Sequence, residues 1–84
     1  MHFVYIVRCS DDTLYTGFTT DLERRISEHN NSKKGAKYTR SRRPVKLEYF
    51  EEFEDRSSAC KRECEIKRLS RENKIKLIKF KKLR

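Results

Sequence analysis

The chain has 84 residues, 35% hydrophobic and 42% charged, and its 22 Lys+Arg against 13 Asp+Glu leave a net charge of +9. That length allows one domain (1–84) with one small core, and the charge balance makes a polyanion the default partner. No apolar run is long enough to span a bilayer, and residues 1–3 lack the charged-then-apolar order of a secretory leader, so a cytoplasmic protein is expected.

Two runs rich in β-branched and aromatic residues, 3–9 and 14–18, flank Ser10-Asp11-Asp12-Thr13. They read as a β-hairpin closed by side chains suited to a turn. Val4-Tyr5-Ile6-Val7 is apolar throughout, which predicts a strand covered on both faces and central in its sheet. Thr20-Asp21-Leu22-Glu23 has the form of a capping box, with Thr20 as the cap. The helix it opens should run to about His29 or Asn31, with Leu22, Ile26 and His29 on one face and Arg25 bordering it.

Between Glu28 and Glu48 there is no acid, and Lys33, Lys34, Lys37, Arg40, Arg42, Arg43 and Lys46 fall in that interval. Gly35 and the polar lead-in predict a loop, with one helical turn around Lys37-Tyr38-Thr39. Pro44 favours an extended Arg43 and so opens a strand over 45–53. Its alternation places Val45, Leu47, Tyr49 and Glu51 on one face and Lys46, Glu48, Phe50 and Glu52 on the other. A helix from about Asp55 to Ser70 carries Ala59, Glu63 and Ile66 on one stripe, close to Leu69. Ser70 is placed to cap a last helix over 74–83, from which Ile75, Leu77 and Ile78 can pack. The order β-β-α-β-α-α predicts an α/β (α+β) fold: a small, mainly antiparallel sheet of about three strands with helices against it. Cys9, Cys60 and Cys64 match neither a CxxC site nor a zinc module, so reduced, structural thiols are expected.

Phosphodiester hydrolysis needs a base for water, a cation on the phosphate, and a further cation for developing charge. Glu63 on an apolar stripe calls for pairing, either in a salt bridge with an arginine or on a metal. Arg25 can hold a phosphate oxygen through its planar fork or simply cover its helix. His29 reads as a core histidine or a proton carrier, and Tyr5 and Tyr15 as strand aromatics or acid–base groups. The 33–46 loop, with Tyr38 among its cations, suits a phosphate-tracking surface with a stacking ring.

Val4-Tyr5-Ile6 and Tyr15-Thr16-Gly17, followed by Arg25, His29 and a helical Glu63, resemble the ordered signature of GIY-YIG endonucleases. The resemblance extends through Gly35-Ala36-Lys37-Tyr38-Thr39-Arg40 and Arg62-Glu63 to Ile66-Lys67, stretches similar to a small stand-alone bacterial branch. It implies a nuclease in which Glu63 binds one Mg²⁺ or Mn²⁺ and Arg25 stabilises the transition state. Tyr5 or Tyr15 would activate water, His29 would tune their protons, and Tyr38 would add a polar group. Gly17 belongs to the second motif. Phe18 stands where some relatives place a lysine. The implied partner is nucleic acid, DNA before RNA, with specificity borrowed from a protein partner. Two other readings use the same charges: a non-catalytic nucleic-acid module acting through the 33–46 loop and the C-terminal helix, and a basic ribosome- or membrane-surface protein using residues 74–84.

One geometric condition follows from the pleat. For Tyr5 and Tyr15 to share a face, residues paired across the hairpin must have numbers with an even sum.

Overall fold

A computed structural model describes residues 1–82 of the chain. The hairpin forms as expected: β1 (His2–Arg8) and β2 (Leu14–Thr19) pair antiparallel. Its connection is tied by Asp11, whose carboxylate accepts from the Thr13 backbone N–H at 3.2 Å and from the Thr13 hydroxyl at 2.6 Å. Asp12 takes the left-handed conformation, φ 68°, which an aspartate tolerates in a turn. Tyr5 pairs with Gly17 and Val7 with Tyr15, so every pair in the ladder sums to an even number and both tyrosines lie on one face.

β3 (Lys46–Phe53) adds antiparallel to the other side of β1, giving the order β2-β1-β3 with the apolar strand central. One expectation fails here. Ile6 pairs with Tyr49 but Val7 with Leu47, so Glu48 is an extra residue in β3 and the register shifts. A bulge of this kind exchanges the faces of everything beyond it. Val45, Leu47 and Phe50 therefore pack with Tyr5 and Val7, while Tyr49 joins Val4 and Ile6 on the other face. Glu51 on that second face pairs with Arg62 at 3.1 Å and accepts the Tyr49 hydroxyl.

α1 (Leu22–Asn31) covers the Tyr5 face with Leu22, Ile26 and His29. Its cap is Asp21 rather than Thr20. The Asp21 carboxylate accepts from Arg24 N–H at 3.1 Å, and the Thr19 hydroxyl accepts from Asp21 N–H at 3.1 Å. The Thr19 hydroxyl thus fixes the cap's own backbone, and the Asp21 carboxylate does the capping. The 32–45 segment then folds back through a short helix, α2 (Lys37–Arg40). Gly35 is needed for that return: a Cβ there would lie 2.7 Å from the Glu28 carbonyl oxygen and 2.9 Å from the Cα of His29.

α3 (Arg56–Lys67), capped by Asp55 on Ser58 N–H at 2.7 Å, buries Ala59 and Ile66 against the opposite face of the sheet. It ends before Ser70, whose hydroxyl accepts from Asn73 N–H at 3.2 Å to start α4 (Arg71–Lys82). Ile78 and Leu77 of α4 close the same core, and the Leu83 end of the expected helix lies outside the described residues. All three cysteines are free thiols. Among the described residues no helix is long and apolar enough to cross a membrane.

Candidate functional site

The polar cluster grows from one feature of the hairpin. Tyr5 sits opposite Gly17, and its ring lies over the space where a side chain at Gly17 would stand. From there its hydroxyl meets Nε2 of His29 at 2.7 Å, and the two rings meet edge to face at 5.7 Å. His29 is fully buried and Tyr5 is 1% exposed, so the bond is shielded from water. The other ring nitrogen, Nδ1, is 2.9 Å from the hydroxyl of Thr39, also fully buried, on α2. Thr39 donates in turn to the Ala36 carbonyl at 2.9 Å.

Tyr15 completes the aromatic wall. Its ring meets His29 edge to face at 5.5 Å and stacks on Tyr38 at 5.9 Å. The Arg42 guanidinium lies 4.0 Å from the centroid of the Tyr38 ring, a cation–π contact that a nucleobase stacking on that face would have to displace. Arg42 is itself held by Asp11 at 3.0 Å.

Arg25, half-buried, donates to Glu28 at 3.0 Å and to the Lys34 carbonyl at 2.8 Å. Burial pushes the Tyr5 phenol up to about 12 despite the positive charge of Arg25, and the carboxylate of Glu63 acts in the same direction as burial. Burial, aided by the positive charge of Arg25, holds His29 down at about 4. At neutral pH the free site is therefore a neutral phenol against a neutral imidazole.

Glu63 lies between Ala59 and Ile66 on α3 with its side chain 21% exposed. Of the two partners expected for it, an arginine or a metal, the structure shows no arginine pair: Glu63 pairs with Lys67 at 3.3 Å. Among the described residues no group of three His, Cys, Asp or Glu is placed to hold a metal. One carboxylate fits a Mg²⁺-type ion that keeps its waters and shares phosphate oxygens, and it does not fit a protein-caged ion.

The basic loop divides in two. Lys33, Lys34, Lys37 and Arg40 are exposed, whereas Arg42 and Arg43 are committed within the fold. Arg43 donates to the carbonyls of His29 at 2.5 Å, Glu28 at 3.3 Å and Ser32, closing the end of α1. Sequence reasoning missed Thr39, the capping role of Arg43, and Asn30, which exchanges two hydrogen bonds with the backbone of Val45. No spacing rule could have found Thr39, since a loop rather than a helix turn brings it to His29. An apolar groove between α1 and β3, lined by Phe3, Leu22, Ile26, Leu47 and Phe50 among others, takes in none of the site residues.

The family model for the GIY-YIG catalytic domain matches residues 1–76. A UPF0213 protein of Desulfotalea psychrophila is 64% identical over 77 residues, which cover 92% of this chain and 70% of that protein. One from Syntrophus aciditrophicus is 55% identical over 78 residues, covering 93% and 90% respectively. The solution NMR structure of a UPF0213 protein from Bacillus halodurans is 48% identical, with a TM-score of 0.63 over 95% of this chain and 84% of that one. A solution structure from E. faecalis is 44% identical, with a TM-score of 0.66 over 99% and 88%. Both solution structures share the architecture described above.

Proposed function

The chain belongs to the GIY-YIG family, a family of nuclease domains, and we propose that it is a cytoplasmic endonuclease that hydrolyses phosphodiester bonds in DNA with one Mg²⁺ or Mn²⁺ on Glu63. The observation that carries this reading is the 2.7 Å bond between Tyr5 and His29, buried beside Arg25 and next to the exposed cations of the 33–40 loop.

Each side chain has a task that its surroundings suit. Lys33, Lys34, Lys37 and Arg40 attract the backbone of the polyanion, a salt-dependent term that carries no sequence preference. Arg25, fixed by Glu28 and Lys34, presents its fork to a phosphate oxygen and offsets the charge that develops there. Tyr5, whose buried hydroxyl must open to water when substrate binds, takes a proton from the attacking water as the new P–O bond forms and the bond to the departing strand breaks, and solvent protonates the oxygen that leaves. To do so it first passes its own proton to His29 Nε2, which faces it.

Burial decides when that can happen. With the phenol pushed up to about 12 and the imidazole held down at about 4, both groups favour their neutral forms and the proton stays on Tyr5 in the free protein. The free site is therefore at rest. Glu63 would hold the divalent cation, which when bound would supply positive charge that favours the phenolate and screens the phosphate. Lys67 occupies that carboxylate in the free chain and, being half-exposed, can swing away. Tyr15 and Tyr38 wall the site and keep water from His29.

Cleavage of supercoiled plasmid and of branched DNA, with and without Mg²⁺, tests this reading. Wild type should nick only with the metal, and Glu63→Ala should not nick. A Glu63→Ala variant as active as wild type removes the catalytic assignment. Salt-sensitive binding without any cleavage would favour the non-catalytic module.

A further inference from the structure

We infer that Thr39 is a positioning residue of this site: its hydroxyl selects the tautomer of His29 and so leaves Nε2 bare toward Tyr5. The argument is one of proton counting. A hydroxyl has one proton to give, and a backbone carbonyl can only accept. Thr39 lies 2.9 Å from the Ala36 carbonyl, so its proton is spent there. Toward Nδ1 of His29, also 2.9 Å away, the Thr39 oxygen can then act only as acceptor, and Nδ1 carries the ring proton. A neutral imidazole has a single N–H. Nε2 is therefore the bare nitrogen, and the 2.7 Å bond runs from the Tyr5 hydroxyl to His29.

A second contact pulls the other way and makes the role of Thr39 testable. The Ala36 backbone N–H points at the same Nδ1 from 3.4 Å and would favour a bare nitrogen there. At that length it is much the weaker of the two, so the Thr39 bond decides while the hydroxyl is present. Without it, the Ala36 donor is the hydrogen-bond partner left to Nδ1 among the described residues. The proton should then move to Nε2, where it would be donated to the Tyr5 oxygen. A histidine in that state holds Tyr5 in place but cannot take its proton.

Burial strengthens the case. Thr39 and His29 are both fully buried, so water cannot replace a deleted hydroxyl without opening the 35–39 turn against α1. The turn is also fixed from outside by Gly35 packed on Glu28 and by Arg43 on the end of α1. Thr39 therefore meets His29 on a rigid support, as a tautomer selector must.

The role in cleavage rests on the nuclease reading, whereas the tautomer does not, and the experiment separates them. Long-range ¹H–¹⁵N correlation spectra distinguish a protonated from a bare ring nitrogen, and the chain has only 2 histidines to assign. Wild type and Thr39→Ser should show His29 protonated on Nδ1, and Thr39→Val should show it protonated on Nε2. In the plasmid assay Thr39→Val should lose on the order of 10²–10⁴-fold in rate, the range for a lost general base, and Thr39→Ser should stay within a few-fold of wild type. A wild-type His29 protonated on Nε2, or a Thr39→Val protein still protonated on Nδ1, overturns the inference. The wild-type spectrum alone can do so if the valine variant does not fold. Wild-type protein that cleaves nothing overturns the nuclease reading and leaves the tautomer to be judged by the spectra.

Discussion

Replacing Gly17 with alanine would put a methyl group inside the Tyr5 ring. A Cβ at Gly17 falls 2.3 Å from the phenolic oxygen, 2.5 Å from Cζ and 3.0 Å from Cε2. Comfortable carbon contacts begin near ~3.5 Å, so the ring must retreat by about 1 Å. It has nowhere to go, because Tyr5 is 1% exposed and His29, fully buried, holds its hydroxyl at 2.7 Å. Overpacking of this kind costs about 1–3 kcal/mol. Breaking the hydrogen bond strands a buried imidazole nitrogen for about 1–3 kcal/mol more. The total, about 2–6 kcal/mol, is a large part of the 5–15 kcal/mol typical of a whole domain. Urea unfolding followed by circular dichroism measures it, and a cycle with Tyr5→Phe locates it. Removing the hydroxyl relieves the closest contact but not the one at Cζ, so the double variant should recover about 1 kcal/mol relative to additivity. A Gly17→Ala protein within ~0.5 kcal/mol of wild type, or strict additivity, would refute the packing of Tyr5 on Gly17.

Other outcomes follow from the same contacts. His29 is held near 4 when folded but sits near 6.5 in an open chain, so the unfolded state takes the proton first as pH falls. Its contribution to stability is complete above about 6.5 and is lost as pH drops toward about 4, a change on the order of 3 kcal/mol. Urea midpoints measured across that window should fall less steeply for His29→Gln, and equal slopes would contradict the burial argument. Arg43→Ala should cost about 1–3 kcal/mol of stability, since it uncaps three carbonyls of α1 and the turn after it. Lys37→Ala and Arg40→Ala should leave stability within ~0.5 kcal/mol while each reduces the salt slope of duplex binding by about 0.9. An Arg43→Ala protein that is fully stable but binds DNA poorly would reverse that division.

Much of the architecture was legible because short-range rules decide it. The central strand followed from four consecutive apolar residues and the Ser70 start of α4 from one hydroxyl, whereas the shared face of the tyrosines depended on a hairpin register that the sequence leaves open and the structure supplies. β3 misled because alternation assumes an unbroken ladder, and the extra residue at Glu48 leaves no mark in its composition. The capping box misled because Thr19 and Thr20 both offer a hydroxyl beside Asp21, and only the fold selects between them. At the site, helix periodicity brought out His29, Arg25 and Glu63. What it could not bring out was partnership across a loop, the bond of Thr39 to His29 and the stack of Arg42 on Tyr38; nor did the choice between an arginine and a metal for Glu63 foresee its i,i+4 pairing with Lys67. Charge counting also treated the loop cations as equivalent, although Arg42 and Arg43 hold the fold and the four cations before them face solvent.

The proposed nuclease requires that a cation on Glu63 of α3 lie within reach of Tyr5, although the neighbours of Glu63 on α3, Ala59 and Ile66, pack on the other face of the sheet. Titrating Mn²⁺ into ¹⁵N-labelled protein with a short DNA duplex present tests that directly, because the bound ion broadens nearby amide signals. Broadening should centre on the amides of Glu63 and Tyr5, and should vanish in Glu63→Gln with the remaining spectrum unchanged. Broadening centred on another carboxylate, or persisting undiminished in Glu63→Gln, would contradict it.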